Sequence, residues 1–135
     1  ALRYMVAILK GLTIADIGHN LPALKWNFDQ LQKTMEGHDK LIVVYGIMAD
    51  KALDDIIPLM PDRPEVHYIF VTPQTPRAMS SQEAMHRFRA AGEHLASSEA
   101  CATVQEGVKK ARGMATGNSV IYIGGSTFVV CEALE

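Results

Sequence analysis

The sequence predicts an α/β fold, and two observations lead to this class. Short runs of β-branched and other apolar residues alternate along the chain with stretches in which apolar residues recur at helical spacing. One run, residues 41–45, is apolar throughout, which is typical of a parallel strand buried on both faces. We therefore expect an open, mainly parallel sheet with helices on both faces.

The N-terminal half begins with two strands. Residues 4–9 and 12–15 flank a tight turn at Lys10-Gly11, which favours an antiparallel N-terminal strand. The next helix should start at Asn20 as N-cap and stop at Gly37. Its apolar residues at helical spacing are Leu24, Phe28, Leu31 and Met35. After the strand at 41–45, a second helix should bury Leu53, Ile56 and Ile57 and end at Pro58 and Pro61.

The C-terminal half continues the alternation. We predict strands at 66–71 and 119–123, and the segment 93–101 has room for one more short strand. Capping boxes open the two helices between them, at Ser80 with Glu83 and at Thr103 with Glu106. Gly124-Gly125-Ser126 then turns the chain into a short C-terminal helix. The complete pattern is a Rossmann-like sheet of about six strands.

Length and composition predict a single domain over residues 1–135. Hydrophobic residues make up 48% of the chain and charged residues 21%, as in average globular domains. The formal net charge is −2 and no basic run occurs, so nucleic acid and anionic membranes are not expected partners. The longest apolar stretch, residues 41–49, is shorter than the ~20 residues that span a bilayer. We expect a cytoplasmic protein in which Cys101 and Cys131 are buried, reduced thiols.

Four polar loops follow predicted strands, at residues 16–20, 46–51, 72–77 and 124–126. Ligands of open α/β sheets bind outside the carboxyl ends of the strands, where such loops converge. Asp16 is placed to accept hydrogen bonds from a ribose diol, and the helix start near His19 and Asn20 to hold an anion. An equally good interpretation has Asn20 capping the helix and His19 lying in a solvated loop.

The remaining candidates also have two interpretations each. The pattern at Asp50 and Lys51 predicts an N-cap followed by a cation in the first helical turn. A lysine there opposes the helix dipole, which favours the alternative of a ligand-facing role. Arg77 is either an exposed loop residue or a ligand-binding residue whose guanidinium group donates two hydrogen bonds to a carboxylate or phosphate. Ser126 either caps the last helix or donates to a ligand carboxylate. It is not a hydrolase nucleophile, because no closing glycine and no later histidine follow it.

Several motifs are missing from the sequence. It contains no GxGxxG, no GxxxxGK[ST] and no HExxH. We therefore expect no phosphate-cradling loop and no metal site, and we assign no catalytic residue within the chain.

Taken together, the four loops resemble a known family. Residues 16–20 are similar to a D-x-[AG]-H-N element, 46–51 to G-M-x-x-D-K, 75–78 to T-P-R-A, and 125–130 to G-S-x-[FY]-V-V. These elements occur in this order in the C-terminal domain of folylpolyglutamate and dihydrofolate synthases, members of the Mur ligase superfamily. Three departures are Leu2 for a glycine, Leu21 for a proline, and Ala52 for a second aspartate.

The resemblance implies an ATP-dependent amide ligase that adds L-glutamate to dihydropteroate or to folate tails. ATP and Mg²⁺ would be bound with an N-terminal P-loop domain that this chain lacks, so the isolated domain should be inactive. By resemblance, Asp16, His19, Asn20 and Arg3 would contact the nucleotide. Ser126, Gly125 and Arg77 would bind glutamate, whereas the role of Asp50 and Lys51 stays open.

Two other functions remain as alternatives. The first is the C-terminal domain of a peptidoglycan-precursor ligase of the same superfamily. The second is a stand-alone flavodoxin-like or receiver-like binding module, although a receiver needs a lysine after its last strand and residues 124–126 offer none.

Overall fold

A computed structural model describes residues 3–8, 11–16, 21–92 and 94–134. Six strands form one sheet in the order β1-β2-β6-β3-β4-β5. The strands are β1 (Arg3–Ile8), β2 (Gly11–Asp16), β3 (Lys40–Tyr45), β4 (Val66–Phe70), β5 (Ser97–Ala100) and β6 (Ser119–Gly124). The α-helices are α1 (Leu21–Thr34), α2 (Leu53–Ile56), α3 (Ser81–Ala90), α4 (Val104–Met114) and α5 (Thr127–Ala133). The predicted α/β class is confirmed.

Strand pairing is parallel from β2 to β5, and β1 runs antiparallel to β2. The β1–β2 ladder closes with Ile8 opposite Gly11. Gly11 is therefore the first residue of β2, whereas residues 9–10 lie outside the described part of the chain. The prediction that Gly11 belongs to the turn is wrong, because its backbone is part of the ladder, and Lys10 is outside the described residues.

The two faces of the sheet bury different kinds of side chain. One face is rich in aromatic rings and packs against α1, α2 and α3, with Phe28, Tyr45, Tyr68, Phe70, Phe88 and Tyr122 among its members. The other face packs against α4 and α5 with smaller aliphatic side chains, including Ile42, Val44, Ile69, Val108 and Val129. Successive residues of β3 alternate between these two cores, so the predicted burial of this strand on both faces is confirmed.

Local capping sets the start of two helices as predicted. The Ser80 hydroxyl oxygen accepts from the Glu83 N–H at 3.2 Å, and the Thr103 hydroxyl oxygen accepts from the Glu106 N–H at 3.1 Å. Each contact satisfies a backbone donor that the first helical turn leaves free. Gly37, with φ of +84°, follows the end of α1, where a left-handed residue is favoured.

The second helix and the cysteines differ from the predictions. α2 is a single turn that continues into a 3₁₀ helix over Ile57–Leu59, and Pro58 lies inside that helix instead of ending α2. This is allowed because the first residues of a helix need no N–H partner.

Cys101 is half-buried, whereas Cys131 is exposed, so the prediction of a buried thiol is wrong for Cys131. α5 turns Val129 and Val130 toward the core and leaves Cys131 on its outer side.

A further short strand in segment 93–101 is confirmed as β5, and polar side chains fasten it to the molecule. His67 on β4 hydrogen-bonds to Ser97 through Nδ1 and to Glu99 through Nε2, each at 2.5 Å. Glu99 also pairs with Lys110 of α4. Partial burial raises the pKa of Glu99, but hydrogen bonds from Lys110 and His67 outweigh it, so the pKa lies below its usual value.

None of the helices in the described ranges has the length and hydropathy that a membrane span requires.

We expect Glu99→Gln to weaken the fold at neutral pH and to reduce its acid sensitivity. Because folding lowers the pKa of Glu99, its carboxylate stabilises the folded state above the usual value of 4.5. This stabilisation is lost as the pH falls through the lower pKa of the folded protein. The free energy of unfolding should drop by about 1 kcal/mol at neutral pH. Urea unfolding should show this difference shrinking below about pH 4.

The matched control is Glu36→Gln. Glu36 is exposed and makes no ion pair within the part of the chain that the structure describes. Its variant should unfold like the wild type at every pH. A stability difference for Glu99→Gln that does not change with pH would contradict the role given to its charge.

Candidate functional site

The carboxyl ends of β2, β6, β3 and β4 lie side by side at one edge of the sheet, because these strands are neighbours and parallel. The loops that follow β6, β3 and β4 therefore meet at this edge, called here the carboxyl edge. They are residues 125–126, 46–52 and 71–80. The predicted convergence of these three loops is confirmed. Residues 17–20, with His19 and Asn20, lie outside the described part of the chain.

Two predicted nucleotide-binding residues are register partners at the carboxyl edge. Asp16 is the last residue of β2 and pairs with Arg3, the first residue of β1. The helix that follows begins at Leu21, directly after the predicted N-cap position. The backbone thus brings Asp16, Arg3 and the start of α1 to one end of the sheet.

Backbone contact between two glycines joins the loops after β3 and β6. The Gly46 N–H donates to the Gly124 carbonyl at 3.2 Å. Gly125 has φ of +105°, and a Cβ added there would lie 2.1 Å from the Gly46 carbonyl oxygen. A Cβ on Gly46 would in turn lie 2.7 Å from Val129 Cγ2 on α5. Only glycine fits at these two positions, and this explains the glycines that the sequence places there.

Ser126 caps α5. Its buried hydroxyl oxygen accepts from the Val129 N–H at 3.3 Å. The capping alternative is therefore confirmed. The same hydroxyl retains its own proton, which has no acceptor in the described part of the chain, so a donor remains available beside the carboxyl edge.

Asp50 does not cap α2. The N-cap position is Ala52, which makes no side-chain capping bond, and Asp50 lies two residues earlier in a turn closed by the Lys51 N–H and the Met48 carbonyl. That prediction is wrong because the turn displaces Asp50 from the helix start. Asp50 instead accepts from Arg77 Nη2 at 2.6 Å. This hydrogen bond and the charge of Arg77 hold the pKa of Asp50 below its usual range.

A short antiparallel bridge holds the Asp50–Arg77 pair in place. Met48 and Ala78 pair across the two loops. The Ala49 N–H donates to the Arg77 carbonyl at 2.7 Å, and the Met79 N–H donates to the Ile47 carbonyl at 2.9 Å. The predicted ligand-binding Arg77 and the residue of open role, Asp50, are therefore brought together by backbone contacts.

Sequence reasoning missed Glu132 of α5. Its carboxylate accepts from the Gln74 N–H at 3.1 and 3.0 Å and so ties α5 to the loop after β4. In the same loop, Thr72 Oγ1 accepts from the Ser81 N–H at 2.8 Å. Nothing in the local sequence around Glu132 indicates this contact, because the two partners are 58 residues apart.

The described residues place cations, and no metal-ligating cluster, at the carboxyl edge. No group of three or more histidine, cysteine, aspartate or glutamate side chains in the described part of the chain is arranged to hold a metal ion. Arg77 and Lys51 are exposed cations at the carboxyl edge.

A cavity of about 690 Å³ lies elsewhere, between the 3₁₀ helix and α3, and contains none of the predicted site residues. Its lining includes Ile57, Pro58, His86, Ala90 and His94.

Sequence comparison identifies a family for most of the chain. A family model described as "Mur ligase, glutamate ligase domain" matches residues 4–127. No curated protein shows significant sequence similarity to the chain.

Solved structures show the same fold. The chain is similar to E. coli FolC in complex with DHPP and ADP, with a TM-score of 0.76 and 14% identity, over 95% of this chain and 29% of that one. It is similar to a bifunctional folylpolyglutamate synthase/dihydrofolate synthase from Yersinia pestis, complexed with AMPPNP and Mn, with a TM-score of 0.74 and 21% identity, over 96% and 29%. It is also similar to Mycobacterium tuberculosis folylpolyglutamate synthase complexed with ADP, with a TM-score of 0.72 and 18% identity, over 91% of this chain and 29% of that one. The chain thus spans less than a third of the length of these proteins.

We expect Gly125→Ala to destabilise the protein by about 2–3 kcal/mol, because the new methyl group meets the Gly46 carbonyl and the positive φ is unfavourable for alanine. Chemical denaturation followed by circular dichroism measures the loss. Gly117→Ala is the matched control, since nothing lies within 4 Å of its added Cβ. Equal stability of the two variants would show that the loops after β3 and β6 do not make this contact.

Proposed function

Because the chain belongs to the Mur ligase family of glutamate ligase domains, we propose that residues 1–135 form the C-terminal domain of an ATP-dependent amide ligase. Its substrates would be L-glutamate and either dihydropteroate or the γ-glutamyl tail of a folate. The family match over residues 4–127 carries this proposal. The fold shared with structures of folate ligases that contain ADP or AMPPNP supports it.

In this proposal the chain supplies one side of an active site. A P-loop ATPase domain elsewhere in the parent enzyme would hold the phosphates and Mg²⁺. The coverage of the similar structures supports this division, because the chain spans 29% of their length. The isolated domain should therefore bind ATP weakly and form no amide.

The proposed reaction has two steps. The acceptor carboxylate first attacks the γ-phosphorus of ATP, which releases ADP and forms an acyl phosphate. The glutamate amine then attacks the acyl carbon, and the tetrahedral intermediate expels inorganic phosphate as the amide forms. The contribution of this domain would be to hold the reactants in line, since orientation alone removes a large part of such a barrier.

Each residue predicted to bind nucleotide or glutamate has a role in this proposal. Asp16 and Arg3, register partners at the end of β2, would contact the nucleotide together with His19 and Asn20. Ser126 would donate its free hydroxyl proton to a glutamate carboxylate, and Gly125 would keep the backbone close enough for that contact. Arg77 would bind a carboxylate of the same substrate through its guanidinium group.

The alternatives are less well supported. A stand-alone flavodoxin-like module does not account for the match to a ligase domain family. A peptidoglycan-precursor ligase belongs to the same superfamily, but the T-P-R-A loop at residues 75–78 and the likeness to folate ligases favour a folate-type acceptor.

The direct test is an activity assay of the full-length enzyme that contains this chain. We expect ATP-dependent formation of an amide between glutamate and dihydropteroate or tetrahydrofolate, offered as competing acceptors and followed by ADP release and mass spectrometry of the product. A peptidoglycan precursor offered in the same assay should not react. Absence of amide formation with both folate-type acceptors would overturn the proposal.

Ser126→Ala in the full-length enzyme should raise KM for glutamate about tenfold to hundredfold, as expected when a hydrogen bond to a charged group is lost. KM for ATP should stay the same. Because the variant also removes a helix cap, Thr103→Ala serves as control: it removes the cap of α4, which follows the outer strand β5. An equal change of KM in both variants would contradict a role of Ser126 in binding glutamate.

A further inference from the structure

We propose that Asp50 is the positioning residue for Arg77, and that it fixes the guanidinium group so that the remaining N–H donors of Arg77 bind a carboxylate of the amino-acid substrate. This inference rests on the proposed function and specifies how that site recognises glutamate. Asp50 itself does not touch the substrate in this proposal.

The backbone sets the position of the pair before any substrate arrives. Met48 and Ala78 form the antiparallel bridge, and the Ala49 N–H donates to the carbonyl of Arg77 itself. Arg77 takes part in that contact and Asp50 directly follows Ala49, so the two side chains extend from neighbouring positions beside the bridge. The distance from Arg77 Nη2 to Asp50 Oδ2 is 2.6 Å.

The contact leaves most of the guanidinium group available. An arginine side chain has five N–H donors in a planar fork, which matches the two oxygens of a carboxylate. Asp50 binds Arg77 through Nη2, and within the described residues Nε and Nη1 make no hydrogen bond. The Arg77 side chain is 70% exposed, so a ligand can reach these nitrogen atoms.

Stability does not account for this pair. The Asp50 side chain is also exposed, at 55%, and ion pairs between exposed side chains contribute little to folding because water and salt screen them. The pair does restrict the rotamers of a long, flexible side chain. A substrate that binds a fixed guanidinium group loses less conformational entropy than one that must first order it.

The nearby charges agree with this role. Lys51, the exposed residue that follows Asp50, adds a second cation at the carboxyl edge. The pKa of Asp50 lies below its usual range because of the Arg77 hydrogen bond, so its carboxylate keeps its charge at neutral pH. Glu132, the acid on α5, binds the Gln74 N–H and does not pair with Arg77.

The test uses the full-length enzyme that contains this chain and compares Asp50→Asn, Arg77→Ala and the double variant. Asp50→Asn should raise KM for glutamate about five- to tenfold, and Arg77→Ala should raise it about tenfold to hundredfold. The double variant should be no worse than Arg77→Ala, because Asp50 acts only through Arg77. The values of kcat and KM for ATP should not change.

Two further variants separate positioning from a structural effect. Asp50→Glu keeps the carboxylate and should recover most of the affinity for glutamate. Asp54→Asn, at an exposed aspartate on the neighbouring helix α2, should leave KM unchanged. The melting temperature of Asp50→Asn should equal that of the wild type, because an exposed pair contributes little stability.

The outcomes distinguish two kinds of failure. If Arg77→Ala leaves KM for glutamate unchanged, Arg77 does not bind the substrate, and both its proposed role and this inference are wrong. If Arg77→Ala raises KM but Asp50→Asn does not, or if the two effects simply multiply in the double variant, Arg77 binds glutamate without Asp50 and only this inference is overturned.

Discussion

Where β3 and β6 leave the sheet, their backbones touch, and no side chain fits between them. The Gly46 N–H continues the ladder by donating to the Gly124 carbonyl, and Gly125 passes the Gly46 carbonyl too closely for a Cβ. Val129 of α5 packs against the other side of Gly46, with Val71 and Pro73 close by. The contact between Gly46 and Gly124-Gly125 thus joins the loops after β3, β4 and β6. The positions of Ser126 and Arg77 both depend on this contact.

The sequence predicts the parts of this protein that local interactions determine. Hydrophobic periodicity locates the strands other than β5, whose sequence is polar. The hydroxyls of Ser80 and Thr103 locate two helix starts, since each accepts from a backbone N–H only three residues away. The errors occur where contacts between residues distant in the sequence decide the structure. Asp50 is of a residue type that often caps helices. It instead hydrogen-bonds to Arg77, 27 residues further along the chain, and lies outside the helix start.

The candidate site could be predicted in outline only. Parallel strands bring their carboxyl ends together, so a polar loop after each strand is enough to indicate a shared edge. The partners within that edge depend on loop backbones that periodicity does not describe. The Glu132–Gln74 contact joins residues 58 positions apart, and the Asp50–Arg77 pair requires a bridge at Met48 and Ala78 that no strand pattern indicates.

In the proposed function, the division between fixed backbone and exposed side chains lets a small domain contribute to a larger active site. Strands β3, β4 and β6 contribute side chains to both cores, so the loops that follow them cannot shift without disturbing two cores at once. The groups offered to a ligand, Arg77 and Lys51 above all, lie outside these cores and are free to exchange water for a substrate. In the proposed enzyme, such an edge would present its cations from a fixed backbone. Its contribution to catalysis would then be orientation, which needs no metal ligand or nucleophile from this chain.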